Sequence, residues 1–146
     1  MKIDFTGKRV LVTGGTRGIG RSIVDAFVEA GARVALHGSN QQSVEGAAKT
    51  IRGSQAVVRV AGELGTTEDC HRVVEAAISG LGGLDVLVNN ARRWNLSTVE
   101  AADEATWDEI IDINLKGAFF VTKYALPALR AAKGNIVNIG SMEGVV

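Results

Sequence analysis

Cysteine, proline and tyrosine each occur once in these 146 residues, and aromatic side chains make up only 5% of the chain. The single cysteine, Cys70, excludes an internal disulfide and any zinc site built on paired cysteines. Near a helix start it reads as a small filler, and no metal site is expected. No apolar run reaches the roughly 20 residues of a membrane-spanning helix. The opening segment MKIDFTGKRV has neither an apolar h-region nor a small-residue cleavage site, so it does not read as a secretory signal. Charge of one sign is also missing, because sixteen Lys and Arg balance sixteen Asp and Glu. A neutral chain lacks the electrostatic footprint that a phosphate backbone would select, which argues against nucleic acid as a partner. What remains is the expectation of a cytoplasmic globular domain, 1-146, with 46% hydrophobic and 22% charged residues and enough length to bury a core.

A short apolar run followed by a longer helical pattern recurs along the chain. The runs cover 9–13, 33–37, 56–60, 84–89 and 135–139. Each is rich in Val, Leu or Ile with little alternation, as in strands covered on both faces. Between them, Ile19, Ile23, Ala26, Phe27 and Ala30 trace one face of a helix that Gly31 ends. A second helix is predicted over 41–51. A third begins near Thr67, with Glu68 and Asp69 suited to its positive end, and stops before Gly80. The longest is predicted to begin within 103–107 and to reach Ala132, burying Trp107, Ile110, Ile111, Ala118, Val121, Ala125 and Leu129. Pro127 removes the amide that would bond to the Lys123 carbonyl, so a kink or early end is expected there. Repeated β-α units closed by a strand make an α/β fold, a doubly wound parallel sheet with helices on both faces.

The turn Thr13-Gly14-Gly15-Thr16-Arg17-Gly18-Ile19-Gly20 leaves the first strand and opens the first helix. A glycine-rich strand-to-helix turn brings backbone amides close to a pyrophosphate, and the helix N-terminus favours its charge. The spacing is Gly14-x-x-x-Gly18-x-Gly20 rather than G-x-G-x-x-G. In the plainer reading these glycines only form a tight turn; the strand before and the helix after favour nucleotide binding. Residues 15–22 also approach the P-loop pattern G-x-x-x-x-G-K-[ST]. However, Arg21 replaces the phosphate-binding lysine, and the strand 84–89 ends in Asn89-Asn90 rather than in a magnesium-binding aspartate.

Three further motifs follow in order: Val88-Asn89-Asn90-Ala91, Asp112-Ile113-Asn114-Leu115-Lys116-Gly117, and Asn135-Ile136-Val137-Asn138-Ile139-Gly140-Ser141. With the glycine loop they resemble the short-chain dehydrogenase/reductase family in order and spacing, over nearly the whole chain. The resemblance implies a Rossmann-like domain ending after its fifth strand, with Gly14, Thr16, Arg17, Gly18, Ile19 and Gly20 at the cofactor loop. Asn89 would help fix the central strand, while Asn90 and Ala91 would line the cofactor beside the adenosine ribose. Glu63, followed by Leu64 at the cofactor site, stands where the family places an aspartate after the third strand, and Glu63 would face the adenine amino group. Asn114 matches the helix asparagine that holds the active-site lysine through a water. Ser141 matches the serine that hydrogen-bonds the substrate oxygen. From the residues alone, Asn114 interrupts an apolar stripe, and a buried amide there must satisfy either local backbone or a polar site.

Two departures from the family pattern matter. Its Asn-Asn-Ala-Gly reads Asn89-Asn90-Ala91-Arg92 here, so Arg92 either alters the turn beside the nicotinamide or brings a cation near the phosphates. The carboxylate that would bind the ribose hydroxyls of NAD is replaced by Gly38. With Arg17 in the loop, NADP is favoured over NAD, although Ser39 stands where many NADP-preferring relatives carry a second arginine.

The family's acid-base pair is a tyrosine followed four residues later by lysine. Here Tyr124 is followed by Ala128. Hydride transfer to a carbonyl needs a proton donor near the developing alkoxide, and neither Asn114 nor Ser141 is a tuned acid. The resemblance therefore implies an NADP(H)-dependent oxidoreductase acting on a small carbonyl or alcohol, with little turnover in this chain. A catalytically silent dinucleotide-binding or regulatory module, or a scaffold protein, is the alternative. A bare edge at 135–139 and an uncovered face on the helix 103–132 would favour homo-oligomers.

Overall fold

The computed structural model describes residues 3–95 and 98–141. Five strands form one parallel sheet: β1 (Arg9–Val12), β2 (Arg33–Gly38), β3 (Val57–Ala61), β4 (Val86–Asn89) and β5 (Asn135–Asn138), in the order β3-β2-β1-β4-β5. β1 lies in register with β2 through Val12 opposite Leu36 and with β4 through Val12 opposite Val88. Side chains alternate across the sheet, so one strand feeds two cores. Val10, Val12, Val34 and Leu36 pack with α1 (Gly18–Glu29) and α2 (Gln41–Lys49). Leu11, Ala35 and Leu87 pack with α3 (Thr67–Leu81) and α5 (Ala118–Ala132) on the opposite face. Each fully buried Val or Leu contributes about 1.5–3 kcal/mol, so the three central strands anchor the fold. Cys70 belongs to the second core, where burial pushes its thiol pKa up and leaves it unreactive.

At the end of the sheet away from the strand exits, the Arg9 guanidinium bonds to Asp85 at 2.7 Å and to the Gly82 carbonyl at 2.8 Å. This ties the start of β1 to the segment entering β4.

The long helical region differs from its sequence reading in three ways. It consists of α4 (Glu104–Ile111), a π-helical turn (Asp112–Gly117) and α5, so the ladder changes pitch around Asn114. α5 runs through Pro127 to Ala132, because Val121, Ala125 and Leu129 are buried on both sides of the proline and offset a cost of about 3 kcal/mol. The predicted apolar stripe is real only in this half. α4 has no buried residue, and Trp107 is 64% exposed. Two shorter boundaries also move: α3 passes Gly80 to end at Leu81, which is buried, and α2 stops at Lys49. β5 is exposed along its length, unlike the other strands, with Val137 at 43%. Among the described residues no helix is long and apolar enough to cross a membrane.

Candidate functional site

The sheet order jumps between β1 and β4. From β1 the chain turns to α1 on one face, and from β4 it leads to the helices of the other face, so a crevice opens between the two strand exits. Ligands of doubly wound sheets occupy such a switch point. Thr13 stitches the exits together: its buried Oγ1 accepts the N–H groups of Asn90 and Ala91, each at 3.0 Å, and donates to the Val88 carbonyl at 3.3 Å. The Asn90 carboxamide adds donations to the carbonyls of Thr13 (2.9 Å) and Gly14 (3.0 Å). This close approach dictates two glycines. A Cβ on Gly14 would sit 2.8 Å from Ala91 Cα, and one on Gly20 would sit 2.1 Å from the Gly14 carbonyl oxygen.

His37 is a second organiser that the sequence reading passed over. It is buried at the end of β2, accepts the Gly14 N–H on Nδ1 at 3.1 Å and donates from Nε2 to the Gly62 carbonyl at 2.8 Å. This assignment requires the neutral ring, and burial pushes its pKa down accordingly. A polar ring inside the apolar run 33–37 was the available signal.

A hollow of about 500 Å³ lies over these exits. All of Gly14, Thr16, Arg17, Gly18, Ile19, Gly20, Ser39, Glu63, Leu64, Asn90 and Ala91 line it, together with His37, Gly38, Arg92, Arg93 and Trp94. Side chains of Asn40, Thr66 and Asp103 cap α2, α3 and α4, whereas Arg17 places no acceptor on the first amides of α1. Gly18 has a left-handed φ of +56° and open space where a Cβ would project. At the far side Gly38 is closed in, since a Cβ there would approach Thr16 Cγ2 to 2.5 Å. Arg21, the P-loop lysine's stand-in, turns away to Asp25, the Ala47 carbonyl and Thr50 Oγ1, so it serves the α1–α2 contact.

A second hollow of about 600 Å³ adjoins the first and is lined by Asn114, Ser141, Asn89, Phe119 and Ile139, among others. Asn114 is exposed rather than buried, and its partner is neither local backbone nor a free polar cluster. Its Oδ1 accepts the Arg93 N–H at 2.7 Å, and its Nδ2 donates to the Arg93 carbonyl at 2.9 Å. The π-helical turn thus presents one carboxamide that docks the chain leaving β4. Asn89 donates to Thr122 Oγ1 (3.0 Å) and to Asn138 Oδ1 (2.9 Å), tying β4 to α5 and β5, while its own Oδ1 is buried without a hydrogen-bond partner among the described residues. Tyr124 lines neither hollow; it packs with His71, at a ring distance of 4.6 Å, and with Phe120.

Among the described residues Lys133 is the only non-glycine with positive φ, so the turn at Arg92 uses ordinary backbone and does not require glycine. Arg93 is charge-balanced by Glu109 at 3.0 Å and Glu63 at 3.9 Å. Glu63 therefore stands at the rim of the first hollow with a guanidinium beside it. Arg92 lines both hollows.

This arrangement has close counterparts. The sequence profile of the short chain dehydrogenase family matches residues 8–146. Among curated proteins, 11-beta-hydroxysteroid dehydrogenase A of Sesamum indicum is 36% identical over 141 residues, covering 94% of this chain and 40% of that protein. L-fucose dehydrogenase of Mus musculus is 34% identical over 143 residues, covering 97% and 51%. Among solved structures, a protein of Sinorhizobium meliloti 1021 assigned as a short-chain alcohol dehydrogenase superposes with a TM-score of 0.93 at 41% identity, covering 100% of this chain and 59% of that one. The chain spans about half the length of the curated relatives it matches. The ordered motifs, the switch-point crevice and the match over residues 8–146 together make this chain a member of the short-chain dehydrogenase family.

Proposed function

We propose that residues 1–146 form the dinucleotide-binding part of an NADP(H)-dependent oxidoreductase that moves hydride between the nicotinamide and a small carbonyl or alcohol. The observation that carries this reading is the first hollow, where uncapped α1 amides meet a glycine turn whose open side faces outward at Gly18. A pyrophosphate fits that cradle. Arg17 and Ser39 at its edge suit a 2′-phosphate, and no carboxylate occupies position 38 to repel one. Leu64, Ala91 and Ile19 supply apolar lining, and Asn90 holds the two strand exits at the required separation. Bound there, a nicotinamide dinucleotide supplies the hydride acceptor or donor.

In the second hollow, Ser141 orients and polarises the substrate oxygen by hydrogen bonding, and Asn114 positions the adjoining chain. The only tyrosine packs among aromatic side chains away from both hollows, so no tuned acid faces Ser141 among the described residues. Binding without appreciable turnover is the behaviour proposed for this chain. The exposed apolar residues Leu115 and Phe119 on the 103–132 face, and Ile136 and Val137 on β5, support homo-oligomer formation through one of these surfaces. Location in the cytoplasm and a preference for NADP over NAD belong to the same proposal. The composition's neutral charge keeps nucleic acid out of it.

Titrating NADPH while exciting tryptophan tests the reading, because Trp94 lines both hollows. Saturable energy transfer to the reduced nicotinamide is the expected result. Absence of saturation would favour a scaffold role, and robust NADPH-dependent carbonyl reduction by the purified chain would overturn the proposed silence.

A further inference from the structure

The second hollow has a lopsided charge. Among the described residues its lining includes two arginines, Arg92 and Arg93, and no aspartate or glutamate. Arg93 is neutralised from outside the hollow by Glu109 and Glu63. Arg92 has no ion-pair or hydrogen-bond partner among the described residues, and it sits where the two hollows meet. Ser141 lines the same second hollow. Phe119 and Ile139 make part of the wall apolar. A guanidinium binds carboxylate and phosphate oxygens through paired, charge-assisted hydrogen bonds.

We propose that the substrate admitted to this hollow is an anion, a carboxylate or phosphate ester carrying its carbonyl or hydroxyl nearby, and that Arg92 is the residue that selects it. The proposal rests on the dinucleotide reading above and adds the chemical class of the second ligand. The other occupant for Arg92 would be a phosphate of the dinucleotide itself, and the test separates the two.

The chain saturated with NADP+ is titrated with three anions, each against an uncharged counterpart: acetoacetate and methyl acetoacetate, benzoylformate and its methyl ester, glyceraldehyde 3-phosphate and glyceraldehyde. The same titrations are run on Arg92→Gln and repeated without nucleotide. At least one anion is expected to bind about tenfold or more tightly than its counterpart, with the difference lost in Arg92→Gln and NADP+ affinity held within about twofold. The carboxylate and phosphate pairs show which anion is preferred. Equal affinities within every pair, or a preference that survives Arg92→Gln, would overturn the proposal. So would an Arg92→Gln variant that loses NADP+ affinity about tenfold while keeping its anion preference, since the guanidinium would then serve the nucleotide. A chain that selects anions through Arg92 but does not bind NADP+ would sink the dinucleotide reading and leave the anion site standing. Circular dichroism of Arg92→Gln checks that the exposed substitution leaves the fold intact.

Discussion

The Asn114 carboxamide pairs with the backbone of Arg93 at two points, accepting its N–H at 2.7 Å and donating to its carbonyl at 2.9 Å. One side chain from a π-helical turn thereby completes, for a single residue, the hydrogen bonding that a neighbouring strand would supply. The side chain of Arg93 then reaches Glu109 on α4 and Glu63 beyond β3, so the wall shared by both hollows is fixed at backbone and side chain alike. Asn114→Leu removes both bonds. It is expected to lower stability by about 1–2 kcal/mol and NADPH affinity by several-fold. Asn114→Asp keeps the acceptor half only and should fall between. Thermal unfolding and nucleotide titration check this; wild-type values for Asn114→Leu would contradict it.

His37 makes the first hollow sensitive to acid. Its ring is buried and neutral, holding the Gly14 N–H on an unprotonated nitrogen. The folded pKa lies below the ordinary value of 6.5, so in the window beneath 6.5 the unfolded chain binds more protons than the folded one. Stability is therefore complete above that window and declines as pH falls through it, until the folded ring also titrates. The Asp85 carboxyl, held below its usual range by its bond to Arg9, adds a separate loss that begins lower, beneath 3.8. His37→Gln, which keeps a donor and an acceptor without a titrating ring, should flatten the first decline and leave the second. Denaturant midpoints measured from pH 7.5 to pH 3 would show both; an unchanged first decline in the variant would remove His37 from the account.

Gly38 separates two explanations for the missing carboxylate. If it were only an evolutionary vacancy, Gly38→Asp would improve NADH binding at once. A Cβ there meets Thr16 Cγ2 at 2.5 Å, with Val44 and Ser43 close behind. The single substitution is expected to cost about 1–3 kcal/mol and to weaken both nucleotides. Trimming Thr16 to serine in the same chain should recover stability and shift preference toward NADH. Tighter NADH binding by Gly38→Asp alone would contradict the steric reading.

Phe119, 63% exposed, and Val137 mark the two surfaces that would carry self-association. Sedimentation velocity at micromolar concentration is expected to show species larger than a monomer, reduced by Phe119→Lys or by Val137→Lys according to which surface is used. A clean monomer for the unsubstituted chain would remove the oligomer from the proposal.

The parallel sheet was legible because its central strands are apolar on both faces, and the first hollow was legible because a glycine turn constrains local sequence. The contribution of Asn114 was half legible. Its polarity within an apolar stripe marked it, but the partner lies 21 residues away on a backbone whose course no pattern in 91–95 specifies. Trp107 misled for a related reason: helical spacing continued past the point where burial stopped, since no residue of α4 is buried. Pro127 does not end the helix, because buried contacts on both sides outweigh one lost hydrogen bond. His37 was hidden inside a strand, where a polar residue carries no periodic signature and only tertiary contacts with Gly14 and Gly62 give it meaning.

Whether this chain binds a dinucleotide, and which one, is decided by side-by-side calorimetric titration of the 146 residues with NADPH and NADH, repeated on Arg17→Ala. Saturable binding of both is expected, with NADPH tighter by about tenfold and near-equal affinities once Arg17 is removed. Failure of both nucleotides to bind, or a preference for NADH in the unsubstituted chain, would contradict it.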